Sequence, residues 1–146
     1  MSKTAYLIDG MAYVFRSFFA MRSMSAPDGS TPINAVFGLG MTLQKLLNEH
    51  KPELVACCFD AGSKTFRSEI YPEYKANRSA PPEELVPQFD LCRELVDSMG
   101  IATATCPGFE ADDVMATLTD RLLADGHEVV IVTGDKDMAQ MLGTGV

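Results

Sequence analysis

The sequence is most informative first for what it lacks. It has no tryptophan and only two histidines, His50 and His127, and both histidines fall at expected helix ends, where a cation is favourable in its own right. A centre built on imidazole is therefore excluded. The four cysteines (Cys57, Cys58, Cys92, Cys106) show no CxxC spacing, and two of them are adjacent inside an apolar run. This excludes a zinc ribbon or a disulfide frame and points to reduced core residues of a cytoplasmic protein. No apolar run approaches the ~20 residues needed to span a bilayer, and the start Met1-Ser2-Lys3-Thr4 has no signal-peptide h-region, so no membrane partner is expected. Glycine is sparse where nucleotide folds need it. Asp9-Gly10-Met11-Ala12 carries one glycine where a dinucleotide fold requires a glycine-rich turn, and a P-loop is likewise missing. Met11 stands where a phosphoaspartyl phosphatase would place its second aspartate. There are no repeats, low-complexity tracts or linkers, and 146 residues give one domain with room for a real core.

What is present is acid. The formal net charge is −8, from 20 acidic and 12 basic side chains, a balance that by itself argues against a nucleic-acid partner. The distribution argues otherwise. Lys64, Arg67, Lys75 and Arg78 crowd one segment, and a locally basic patch binds phosphates even on an acidic protein. The acids are also grouped.

Ala5-Tyr6-Leu7-Ile8 is a short apolar run ending at Asp9-Gly10, the pattern of a buried parallel strand and its exit turn. A helix is predicted over Met11–Arg22, with Val14, Phe15, Phe18 and Phe19 on one side. After a turn-rich loop, Thr31 can cap and Pro32 can open a second helix, which runs to about His50. A second strand, Leu54–Phe59, also ends in an acid, Asp60. Residues 61–82 then break the rhythm: few aliphatics, four bases, and the aromatics Phe66, Tyr71 and Tyr74. A segment this long inside a compact domain is functional or mobile as a rule. A helix opening at Glu83-Glu84, bent or delayed by Pro87, closes at Gly100. A weaker strand, Ile101–Cys106, leads into Gly108-Phe109-Glu110-Ala111-Asp112-Asp113-Val114 and a helix ending near Gly126. Val129–Val132 is the clearest strand, followed by Thr133-Gly134-Asp135-Lys136-Asp137 and a helical fragment with Met138, Met141 and Leu142.

This alternation predicts an α/β fold, a mostly parallel central sheet flanked by helices on both faces. Such sheets bind ligands beyond the carboxyl ends of their strands, and Asp9, Asp60, the Glu110 cluster and Asp135 all lie there. An acidic first turn is explained on its own by the helix dipole; acids at four strand ends are not. Residues three apart share a helical face, with Cβ atoms roughly 5–6 Å apart, so Glu110 and Asp113 point together while Asp112 fans aside. Crowded carboxylates repel unless a cation sits between them. Oxygen donors without histidine favour Mg²⁺ or Mn²⁺, and seven carboxylates exceed what one such ion requires. Two ions about 3.5–4 Å apart, clamping a phosphodiester for in-line attack by water, use that surplus. Asp9, Asp60, Glu110 and Asp112 are expected nearest the metals, with Asp113, Asp135 and Asp137 completing the shell directly or through water. A receiver domain fits Asp9, Asp60 and Thr133 loosely but leaves the Glu110 cluster and the basic segment unexplained.

Several motifs, in order, resemble one family: Leu7-Ile8-Asp9-Gly10, Phe37-Gly38, Cys58-Phe59-Asp60, Phe66-Arg67, Tyr74-Lys75-Ala76-Asn77-Arg78, the run from Gly108 to Val114, and Thr133-Gly134-Asp135-Lys136-Asp137. The chain resembles the N-terminal part of the 5′→3′ exonuclease domain of bacterial DNA polymerase I, of the flap-endonuclease group with a PIN-like (resolvase-like) fold. The resemblance covers essentially all 146 residues. It implies that the seven acids bind metal and that residues 61–82 form a basic arch with Lys75 and Arg78 at its base against the scissile phosphate. Three residues apart, those two bases share a helical face and can neutralise charge building in the transition state. By the same resemblance Arg16 and Arg67 contact phosphates and Tyr74 stacks a terminal base.

The implied activity is structure-selective 5′ cleavage of DNA at flaps, nicks or ends, in replication and repair. The family carries a further aspartate pair and a helical duplex-binding hairpin downstream, so a continuation into that region and into polymerase domains is expected. Two alternatives stand beside this one. A small PIN-domain ribonuclease matches the size but has little use for an arch. A catalytically silent module that binds DNA ends would use the bases and not the acids.

Overall fold

The computed structural model describes residues 1–62, 66–73 and 80–146. Among these, four strands form one parallel sheet: β1 (Thr4–Asp9), β2 (Leu54–Cys58), β3 (Ala102–Ala104) and β4 (Glu128–Val132), in the order β3-β2-β1-β4. The helices are α1 (Gly10–Ala20), α2 (Asn34–His50), the short α3 (Phe66–Ile70), α4 (Val86–Ser98) and α5 (Ala111–Ala124), with a 3-10 helix at Lys136–Met141. Among the described residues no helix is long and apolar enough to cross a membrane.

Each strand alternates between two cores because successive side chains leave opposite faces. Ile8, Cys57 and Phe59 pack with Val14, Leu39, Leu43, Cys92 and Val96 of α1, α2 and α4 on one face. Leu7, Cys58 and Val129 pack with Val114 and Met115 of α5 and Met138 of the 3-10 helix on the other. The sheet is thus covered on both faces, as a parallel sheet requires. The adjacent cysteines point into different cores, and burial raises the Cys57 thiol and pushes those of Cys58 and Cys92 up to about 12. Cys106 departs from the expected core role and is exposed.

Several boundaries differ from the sequence pattern, each for a local reason. Thr31 does not cap α2. It joins the turn before it, where the Thr31 hydroxyl and N–H both donate to Asp28 and hold that carboxyl down at about 2. Pro32 accordingly lies outside the helix, which begins at Asn34 behind Ile33, a residue with no capping side chain. Its first N–H groups are served from α4: the buried Gln88 Oε1 accepts from Ala35 N at 2.7 Å, and Gln88 Nε2 donates to Asn34 Oδ1 at 2.8 Å. Helix α4 starts at Val86, so Pro87 sits in its first turn, where the missing N–H costs nothing. Helix α3 lies inside the basic segment 61–82.

Strand order sets the place for chemistry. The chain runs outward from β1 to β2 and β3, then returns through α5 to the opposite side of β1. The carboxyl ends of β1 and β4 therefore flank a topological switch point, the place where ligands bind in open α/β sheets.

Candidate metal centre

Asp9 is the last residue of β1 and is only 3% exposed, although it is an acid. Its carboxylate is fixed on both oxygens. Oδ1 accepts from Ala12 N at 3.2 Å, capping α1, and Oδ2 accepts from the Thr133 hydroxyl at 2.8 Å. Gly10 follows because there is no room for anything larger. A Cβ built there would meet the Phe59 ring at 2.6 Å and the Cys58 carbonyl oxygen at 2.8 Å.

Asp60 lies two residues past β2, whose last residue Cys58 pairs with Asp9. Its Oδ1 accepts from Ala111 N, in the first turn of α5, at 2.7 Å, and its carbonyl oxygen accepts from Arg93 of α4. Arg93 also lies over the Phe59 ring, 5.7 Å from its centroid. The end of β2 is thereby tied to helices on both faces of the sheet.

Three acids, Glu110, Asp112 and Asp113, stand at the start of α5. Glu110 and Asp113 share a face and meet the same cation: Arg67 of α3 reaches Glu110 Oε2 at 3.1 Å and both oxygens of Asp113 at 2.7 and 2.8 Å. Asp113 Oδ2 also accepts from Glu110 N at 3.1 Å, which closes the first turn. Asp112 lines the same cleft as Arg67 and Asp113. Burial raises its carboxyl to about 6, and the charges of Asp9, Asp135, Glu110 and Asp60 push in the same direction. Acids from four separate strand ends thus act on one carboxylate.

Asp135 joins this group through its backbone, because its N–H donates to Thr133 Oγ1 at 3.0 Å while its Oδ1 accepts from Asp137 N at 2.9 Å. Asp135 and Asp137 are exposed. Among the described residues no three of these side chains close on a single point. The donor set nonetheless suits a hard divalent cation, since it is all carboxylate oxygen, without imidazole or thiolate. Asp9, Asp135, Glu110 and Asp60 are the acids whose charges act on Asp112.

Of the bases, Arg16 is exposed on α1, with Nη1 near Gly134 beyond β4, and Arg67 is bound to the acids as described. Lys75, Arg78 and Tyr74 lie outside the described residues. A cleft of about 420 Å³ beside α5 is lined by Arg67, Asp112, Asp113, Asp120 and Gln140, among others. A larger groove of about 620 Å³ runs along α1 and α2, and among the described residues of the predicted set Arg16 borders it. The sequence pattern missed Thr133, Arg93 and the Ala12 and Ala111 N–H groups. Only Thr133 carried a signal, as a hydroxyl directly after the clearest strand.

Comparison with known proteins shows the family of the fold. Residues 4–146 match the family described as 5′-3′ exonuclease, N-terminal resolvase-like domain. The 5′-3′ exonuclease of Bacillus subtilis (strain 168) is 45% identical over 139 residues, covering 93% of this chain and 47% of that protein. The thermostable DNA polymerase I of Thermus thermophilus is 43% identical over 136 residues, covering 93% of this chain and 16% of the polymerase. The crystal structure of the T5 D15 protein, co-crystallised with metal ions, superposes with a TM-score of 0.71 at 25% identity, covering 99% of this chain and 54% of that one. The chain spans about half the length of the exonuclease and about a sixth of the polymerase. With its all-parallel sheet, acids at the strand ends and a match over nearly every residue, the chain belongs to the family of 5′-3′ exonuclease N-terminal resolvase-like domains.

Proposed function

We propose that this chain carries the catalytic acids of a divalent-metal-dependent 5′ nuclease that hydrolyses DNA phosphodiesters at flaps, nicks or ends, as required in replication and repair. The observation that carries the reading is the gathering of acids from four strand ends around Asp112, whose carboxyl is raised by burial and by the charges of Asp9, Asp135, Glu110 and Asp60, in a member of an exonuclease family. Such a concentration of negative charge at a sheet's switch point is costly unless a cation shares it.

Asp9, Asp60, Glu110 and Asp112 would hold Mg²⁺ or Mn²⁺, two ions in the complete site, with Asp113, Asp135 and Asp137 contributing directly or through water. Bound there, such ions supply a nucleophile at neutral pH and positive charge for the in-line displacement. The chain's own residues do the rest. The Ala12 and Ala111 N–H groups orient Asp9 and Asp60, and Arg67 holds Glu110 and Asp113 in place. Lys75 and Arg78, at the base of the basic segment 61–82, take the scissile phosphate. Arg16 and Arg67 contact neighbouring phosphates, and Tyr74 stacks the terminal base. The same reading places the protein in the cytoplasm; three thiols kept buried are compatible with a reducing compartment.

The test is to incubate the chain with a 5′-flapped DNA duplex, and separately with single-stranded RNA, in the presence of Mg²⁺. Release of the flap strand, lost on chelation and in Asp60→Ala and Asp112→Ala, is the expected result. Cleavage of the RNA alone would make it a ribonuclease. DNA binding with no cleavage, unchanged by either substitution, would make it a silent end-binding module.

A further inference from the structure

We infer that Thr133 is a positioning residue for the proposed metal centre: its hydroxyl sets the direction in which the Asp9 carboxylate offers its remaining lone pairs and ties the Asp135 loop to that direction. The inference rests on the nuclease reading and deepens it. Asp9 and Thr133 are 124 residues apart in sequence, yet they adjoin across the β1–β4 pair, one residue beyond the Ile8–Val132 register.

A hydroxyl has one hydrogen to donate and lone pairs to accept. Thr133 uses both sides. It donates to Asp9 Oδ2 at 2.8 Å and accepts from Asp135 N at 3.0 Å. With Oδ1 held by Ala12 N at 3.2 Å, the carboxylate plane of Asp9 is pinned at both oxygens, and each oxygen keeps a further lone pair for a cation. Valine has the same shape and cannot make either bond. In its place the buried Asp9 oxygen loses its donor and the Thr133-Gly134-Asp135 turn loses its anchor. The fold itself is held by strand pairing and by the two cores, which the hydroxyl does not enter. Outer-shell partners of this kind alter metal affinity by roughly 10–100-fold when removed.

The experiment is calorimetric titration of Mn²⁺ into the native chain, Thr133→Ser, Thr133→Val and Asp112→Ala, together with thermal melts in chelator. The expected result is Mn²⁺ binding by the native chain and by Thr133→Ser, binding weakened about tenfold or more in Thr133→Val, and a metal-free melting temperature little changed between Ser and Val. Equal Mn²⁺ affinity in Val and the native chain overturns the inference while leaving the nuclease reading intact. A lowered melting temperature with unaltered affinity also overturns it, because Thr133 would then be merely structural. If neither the native chain nor Asp112→Ala binds Mn²⁺, the metal-dependent reading itself fails, and this inference with it. Should Thr133→Val show no cooperative melt, Thr133→Ala removes the same hydroxyl without the branched bulk and is judged by the same affinity criterion.

Discussion

Arg67 grips both carboxylate oxygens of Asp113, Nη1 to Oδ2 at 2.7 Å and Nη2 to Oδ1 at 2.8 Å. This bidentate pair fastens the short helix α3 to the first turn of α5, 46 residues away, and a third bond from Arg67 steadies Glu110. Fork-to-fork ion pairs are stronger and more directional than single contacts. Because 34% of the Arg67 side chain is exposed, the pair is weaker than a fully buried one. Arg67→Ala should cost about 1 kcal/mol by urea denaturation at low salt, and the difference should shrink at about 1 M salt. Arg67→Lys should keep the charge but lose the fork and fall between the two. An Arg67→Ala chain as stable as the parent at low salt would show that the pair only orients Glu110 and contributes nothing to holding α3.

Asp112 makes stability depend on pH in the direction opposite to most acids. Its folded-state value of about 6 lies above the ordinary 3.8, so the native chain holds that proton more tightly than the unfolded one. Its contribution is most favourable below about pH 4, declines as pH rises toward about 6, and stays unfavourable above that. Asp112→Asn removes the ionised form. In the absence of divalent metal it should stabilise the chain at about pH 7, on the order of 1–2 kcal/mol, and change little at about pH 4. Thermal melts of the two chains at both pH values decide the matter. A stabilisation equal at the two pH values would mean that shape, not charge, is responsible.

Gly10 is required by space, not by backbone conformation. Its missing Cβ would lie 2.6 Å from the Phe59 ring, 2.8 Å from Cys57 Sγ and 2.8 Å from the Cys58 carbonyl oxygen. Alanine favours helix by up to about 1 kcal/mol, but overpacking against β2 costs roughly 1–3 kcal/mol, so Gly10→Ala should be net destabilising in equilibrium unfolding. Because Asp9 is the preceding residue, the shift that relieves the clash should also weaken Mn²⁺ binding. An alanine variant with native stability would show that β2 yields more easily than its backbone packing implies.

Much of the fold could be read from the residues alone. Apolar runs separated by helical periodicities, two of them ending directly in an acid (Asp9 and Asp60), pointed to a parallel sheet covered on both faces, because strands apolar on both sides need two cores. Helical spacing set Glu110 and Asp113 on one face, and both meet Arg67. Local signals were less faithful where two of them competed. Thr31 looked like a cap for α2, yet Asp28, three residues earlier, engages it, and the capping task passes to Gln88, 53 residues from the N–H that it serves.

The sequence by itself determined which residue types reach the carboxyl edge of the sheet, since strand and helix periods are local and the acids stand at their ends. Tertiary structure alone decided which acids face one another and which are diverted. Strand order brings Thr133 beside Asp9, and α3 carries Arg67 to Asp113. Such contacts depend on which strands pair and where a helix docks, and those choices belong to the packed chain as a whole and not to any stretch of it.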